Sequence, residues 1–296
     1  MINKAQSSVN KYQDSSINEQ TFLNNLEEYV KYKWQPIGSK VDLPDGWNES
    51  TVDAVLDDKK NVIPVPKDFY YVGGNLDNGV IISDNESDAY DGVTDKTTWE
   101  YTINLVGNQF VWIPCTEEEY HKTDWGSKYV YGSYDKSEPT NDEKSKVLKY
   151  GGFYVARYEA GLADGIKEHT SGATNNPGYN IEGKPKSQAQ QLPWNYITYS
   201  NSKKNAENMY SASNAVDSGL ITGTQWDVML NKFIGLKNEA GTTITLEDML
   251  DSRKWGNFST NSVAYTGRLA HARWVERNRV VYVSFCNNQK RKYSCI

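Results

Sequence analysis

The chain has 296 residues, 38% of them hydrophobic, and a formal net charge of −6 at pH 7. That length suits one large domain or two, each with a proper core, and the mild acidity excludes a nucleic-acid footprint over most of the chain. No stretch approaches the roughly 20 apolar residues of a membrane span, and Cys115, Cys286 and Cys295 make neither a disulfide framework nor a zinc ligand set.

From Ile2 to about Lys33, the apolar residues Ala5, Val9 and Tyr12, then Phe22, Leu23, Leu26, Tyr29 and Val30, recur at helical spacing among charges and amides. This predicts an amphipathic helical stem over 1–35, broken near Asp14 to Ser16. Pro36, Gly38, Pro44 and Gly46 end helical order, so 36–60 reads as a linker.

A β-rich lead-in over 61–108 follows, where "NVIPVP", "FYYVGG" and "GVIISD" read as short strands between Gly, Asp and Asn. "EYTINLVGNQFVWIPC" predicts two more strands, with a hairpin through "VGNQ". Residues 116–150 are charged and Tyr-rich without a clear period, which predicts an inserted loop with room for one helical turn.

In "GGFYVARYEAG", residues 151–161, strand alternation puts Phe153, Val155, Arg157 and Glu159 on one face and Tyr154, Ala156, Tyr158 and Ala160 on the other. Both faces begin apolar, which marks an interior strand. Buried charges persist when paired, so Arg157 and Glu159 are expected to be architectural.

Beyond a Gly-, Asn- and Pro-rich loop at 161–187, "LPWNYITYSNSKKNAENMYSAS" turns helical, with Ser200 as the expected N-cap and Ala206, Met209 and Tyr210 on one face. In "ITGTQWDVMLNKFIG" Thr222 and Gln225 fit a capping box. Trp226, Leu230, Phe233 and Ile234 form an apolar stripe with Trp226 as a core anchor, and Gly235 terminates the helix.

Signals of chemistry are sparse. His121, His169 and His271 are far apart, and none sits in a metalloprotease or nucleophile-elbow motif. In "DNESDAYDGVTD", Asp84, Glu86 and Asp88 alternate like the start of a calcium loop. Ala89 stands where that loop needs glycine, however, and Asp95 where it needs a bidentate glutamate, so a solvated acidic loop is expected instead.

Four segments, in order over residues 109–235, resemble the formylglycine-generating enzyme (sulfatase-modifying factor) superfamily. "FVWIPC" is similar to its "VWIPGG" opening and "GGFYVARYEAG" to its "F-x-I-x-x-x-E-V-T" strand. "LPWNYITYSNSKKNAENMY" resembles the "V-S-W-x-D-A-x-x-Y" helix entry, and "GLITGTQWD" the "R-L-P-T-E-A-E-W-E" segment. The resemblance implies an α+β, C-type-lectin-like fold over 109–266: a mixed twisted sheet with two helices and long loops, with Arg157, Glu159 and Thr222 to Asp227 as scaffold. The family's later motifs "G-N-V-W-E-W", "R-G-G-S-W" and "G-F-R" do not follow Trp255, and Cys286 and Cys295 do not match its copper-binding cysteine pair. No catalytic, metal or cofactor residue is therefore carried over.

"INKAQSSVNKYQDSSINEQTFLNNLEEYV" resembles the stretch after the hydrophobic helix of type IV pilin-like proteins from clostridial-type bacteria. That implies an upstream membrane helix and display at the cell surface; the chain as written has no export signal and would stay cytoplasmic. Five of its seven arginines follow Gly267, within an atypical basic tail at 267–296. Three readings of that tail stand: a basic patch for an acidic partner or nucleic acid, a closing strand at "VVYVSF", and a reading-frame shift near Gly267 that leaves the C-terminal part incomplete. The expected function is noncatalytic surface recognition of a carbohydrate or protein ligand, with a formylglycine-generating or nonheme iron oxidoreductase as the alternative.

Overall fold

A computed structural model of the chain describes residues 18–125, 138–166, 182–191, 194, 197–236 and 242–250. It is an α+β fold with two antiparallel sheets. Helix α1 spans Glu19–Lys33, where the Asn18 side chain accepts from Thr21 N at 2.9 Å, and Glu19 and Lys33 suit the two ends of the helix dipole. The stem upstream of residue 18, and the break expected there, lie outside the described residues. Tyr32 is buried while Leu23, Val30 and Trp34 are exposed.

The segment expected to be a linker supplies two of the three strands of the first sheet. Strands β1 (Lys40–Val41), β2 (Val52–Leu56) and β3 (Val62–Pro66) run in that order. The β2 run is short and split by Asp53, which hid it among polar neighbours; Val52, Ala54, Val55 and Leu56 are nonetheless buried, and Asp53 is held by Lys40 and Lys67.

The second sheet orders β4 (Tyr70–Gly73), β5 (Ile81–Ser83), β6 (Gln109–Pro114) and β7 (Gly152–Ala156) side by side. It draws strands from both sides of the boundary expected at 108. The hairpin expected through "VGNQ" does not form, because Trp99–Thr102 is a helical turn, α2. Thr102 N bonds to Thr98 O, and Thr97 N bonds to Asp95 Oδ1, so local side-chain and backbone bonds outcompete β propensity there. Helix α3 (Asn141–Leu148) occupies the expected loop region, N-capped by Thr140.

Alternation along these strands builds two cores. Ile81, Val111, Ile113, Phe153 and Val155 face the helix at Gly223–Phe233, meeting Val228 and Met229. Ile82, Trp112 and Tyr154 face the first sheet, meeting Val55, Ile63 and Val65. The second sheet is thus the middle layer; the strand at 153–156, expected to be interior, has both faces covered but stands at the edge of its sheet.

Helix α4 spans Tyr199–Asn208 and is capped by Thr198, two residues before the expected Ser200; the Thr198 side chain accepts from Asn201 N. In this polar stretch no apolar residue fixes the helix start, so either hydroxyl fits the pattern. Helix α5 spans Gly223–Phe233 with the expected capping box of Thr222 and Gln225, and Gly235 follows at φ 90°. Its most buried apolar residues are Val228, Met229 and Leu230, while Trp226 is only partly buried, packed against two core clusters. A short α6 spans Leu246–Leu250. The basic tail, with "VVYVSF", Cys286 and Cys295, lies outside the described residues, as do His169 and His271.

Candidate functional site

Strand β7 ends the second sheet, and its backbone pattern follows from the register. Cys115 N bonds to Gly151 O, and Arg157 N to Gln109 O. With Ile113 opposite Phe153 and Val111 opposite Val155, the odd-numbered residues of β7 exchange hydrogen bonds with β6. The N–H and C=O groups of Gly152, Tyr154 and Ala156 therefore point away from the sheet. Among the described residues these six groups have no partner. Gly152 is required here, since a β-carbon would collide with Ile113 O and the Trp112 ring.

A cleft of about 640 Å³ runs along this edge, within the roughly 300–1,000 Å³ typical of ligand sites. All five β7 residues line it, followed by Tyr158 and Ala160 from the same alternating row. Pro64 and Pro66 of β3 form one wall, and Trp194, Ala206, Met209 and Tyr210 another. The face expected for α4, with Ala206, Met209 and Tyr210, is thus the face turned to the cleft.

Aromatic rings fix the walls. Phe69, Phe110 and Tyr210 meet edge to face with centroids 5.3–5.8 Å apart, and Trp112 lies 4.8 Å from Tyr154. Their polar ends are tied down: Tyr154 Oη donates to Pro64 O at 2.8 Å, and Tyr210 Oη to Asp84 Oδ2 at 2.7 Å. Tyr158 differs. Its hydroxyl is buried with no hydrogen-bond partner among the described residues, a state that costs about 1–3 kcal/mol, and burial pushes its pKa up.

The other residues singled out by the sequence are structural. Arg157 is buried; its Nη1 donates to Gln109 Oε1 and its Nη2 to Thr97 O, each at 3.0 Å, which pins the loop before α2 to the sheet. Glu159 is buried as well. In the acidic segment, Asp88 accepts from the backbone of Val106 and Gly107 and from Ser83 Oγ, and Asp84 accepts from Asn108 N, so these carboxylates brace the turn into β6. Asp227, at the end of the Thr222–Asp227 stretch expected to be scaffold, is 1% exposed and receives Lys122 Nζ at 2.7 Å, Trp125 Nε1 at 2.9 Å and Thr123 N at 3.0 Å. It clamps the 122–125 segment to α5. His121 is exposed, with Nδ1 2.9 Å from Lys122 O.

Cys115 lies in the core beside Tyr120 and Phe153. Burial, aided by Glu119, pushes its thiol up to about 11, so little of the thiolate needed for metal or nucleophilic chemistry exists near neutrality. No group of three or more potential metal-ligating side chains occurs among the described residues, and none of their helices is long and apolar enough to cross a membrane.

The cleft draws on segments spread from Thr51 to Gln225, so no local motif announces it. Its one sequence signal is the alternating row Tyr154, Ala156, Tyr158 and Ala160. No family model matches the chain, and no curated protein or solved structure matches it either.

Proposed function

We propose that the chain is a noncatalytic recognition domain that binds a carbohydrate or protein ligand in the cleft beside β7. The observation that carries this reading is an aromatic-walled cavity of ligand size bordered by unused hydrogen-bonding groups. Tyrosine and tryptophan offer an apolar body with a polar edge, the combination that recognition surfaces favour. Asp88 and Arg157 bond to backbone and amide groups, which is the work of a scaffold.

The four ordered motifs support the finer proposal that the scaffold is C-type-lectin-like and related to the sulfatase-modifying factors. The N-terminal resemblance supports surface display on a pilin-like stem, with the exposed Leu23, Val30 and Trp34 of α1 available to neighbours in such a stem. An array of glycans and bacterial and host surface proteins, probed with the purified chain, tests the function. Binding that is lost when the cleft wall is altered by Tyr210→Ala supports it; no binding to any element of the array overturns it.

A further inference from the structure

Resting on that recognition reading, we infer that the occupant of the cleft is an extended polypeptide segment of a partner protein, which adds to β7 as a fifth strand of the second sheet. Tyr154 and Ala156 present outward N–H and C=O groups two residues apart, the repeat of one strand side, roughly 6.6–6.8 Å. A row of alternating donors and acceptors at that spacing is the complement of another strand, and strand addition uses it for affinity. Both residues are only partly buried, so the edge is reachable along the cleft.

The neighbouring edges cannot serve. Pro64 and Pro66 lie on β3, where their missing N–H groups leave acceptors alone at two of its three outward positions, and Pro64 O already accepts from Tyr154 Oη. Beyond Ala156 the chain is covered again: Tyr158 N is held by Ser187 Oγ, and Gly161 bridges to Lys186. The open stretch is therefore 152–156, long enough for one short strand.

Charge adds a second constraint. Among the charged residues lining the cleft, Glu143 accepts from the hydroxyls of Tyr120 and Thr222, Lys146 lies between Asp142 and Asp217, and Lys186 pairs with Asp164. Lys149 has no carboxylate partner among the described residues; its ammonium stands 5.1 Å from the centre of the Tyr150 ring. It lies at the Gly152 end of the cleft. The partner strand thus carries alternating apolar side chains for the aromatic walls and an acidic residue at the end that meets Lys149.

The probe is a short fluorescent peptide that alternates valine and phenylalanine with threonine and opens on two glutamates. We expect saturable binding to the whole chain by fluorescence anisotropy. Ala156→Pro removes one outward N–H and keeps the pairing with β6, and should weaken binding about tenfold or more. Peptides N-methylated on complementary alternate residues should split, one binding and the other not. Should Ala156→Pro fail to fold, amide exchange of the wild-type chain replaces it, with slowing at Tyr154 and Ala156 expected when peptide is added. Equal binding by the Ala156→Pro variant, or no change in those amides, overturns the strand-addition inference. Glycan binding on the array with no peptide binding overturns it while recognition stands, and binding of neither overturns both. A concentration-dependent dimer abolished by Ala156→Pro would instead assign the edge to a second copy of this chain.

Discussion

The two edges of the second sheet are treated in opposite ways. At the β4 edge, the outward carbonyl of Tyr71 accepts from Tyr90 N at 2.8 Å, and the Tyr90 ring packs edge to face on Tyr71 at 5.9 Å. At the β7 edge no described residue bonds to the outward backbone N–H and C=O groups of Tyr154 and Ala156. The first sheet follows the guarded pattern too, since β1 is two residues long and β3 carries two prolines. Short strands, prolines and covering loops are the usual means of blunting an edge. Among the described residues, three guarded edges and one open edge make the open one a feature that calls for a partner strand.

The sharpest way to break this comparison is to place proline at successive positions of β7. Val155 is 4% exposed and its N–H bonds to β6, so Val155→Pro should cost on the order of 3–5 kcal/mol through the lost ladder bond and disturbed core. Ala156→Pro, whose N–H points outward, should cost less than about 1 kcal/mol. Urea unfolding of the two variants measures the difference; similar losses would contradict the assigned register. Next in size is Arg157→Met, which leaves Gln109 Oε1 and Thr97 O without their donors and should destabilise by about 2–4 kcal/mol in the same measurement.

A smaller effect is expected when a guarded edge is opened. Pro66→Thr restores an outward N–H on β3, and should raise thioflavin-positive aggregation while moving stability by less than about 1 kcal/mol. The smallest effect concerns the pairing beneath that edge. Burial alone would raise the pKa of Asp53, but Lys40 and Lys67 outweigh it and hold the carboxyl below its ordinary value. A depressed carboxylate pKa contributes stability above the unfolded value of about 3.9, lost as pH falls through the folded value. The melting temperature should therefore drop slightly on acidification below about pH 4, and Asp53→Asn should flatten that part of the profile.

What could be read from the sequence was local. The capping box at Thr222 and Gln225 and the stop at Gly235 are contained within one short segment, and the covering of both faces of β7 shows itself by apolar residues on each, though not its place at the sheet edge. The misses have a common cause in longer range. Strand β2 is defined by its partners Val62 to Pro66 and by lysines on either side of Asp53, while "EYTINL" has strand composition but is wound by hydrogen bonds around Asp95 and Thr98. The cleft is the extreme case, since its walls come from elements more than a hundred residues apart, and the openness of an edge depends on what fails to pair with it.

Amide hydrogen exchange across β7 in the free protein tests the central claim most directly. With an open edge, the amides of Phe153, Val155 and Arg157 should be strongly protected while those of Tyr154 and Ala156 exchange quickly, giving an alternating pattern along the strand. Uniform protection from 153 to 157 would show that the outer side of β7 is already bonded, and would contradict the account.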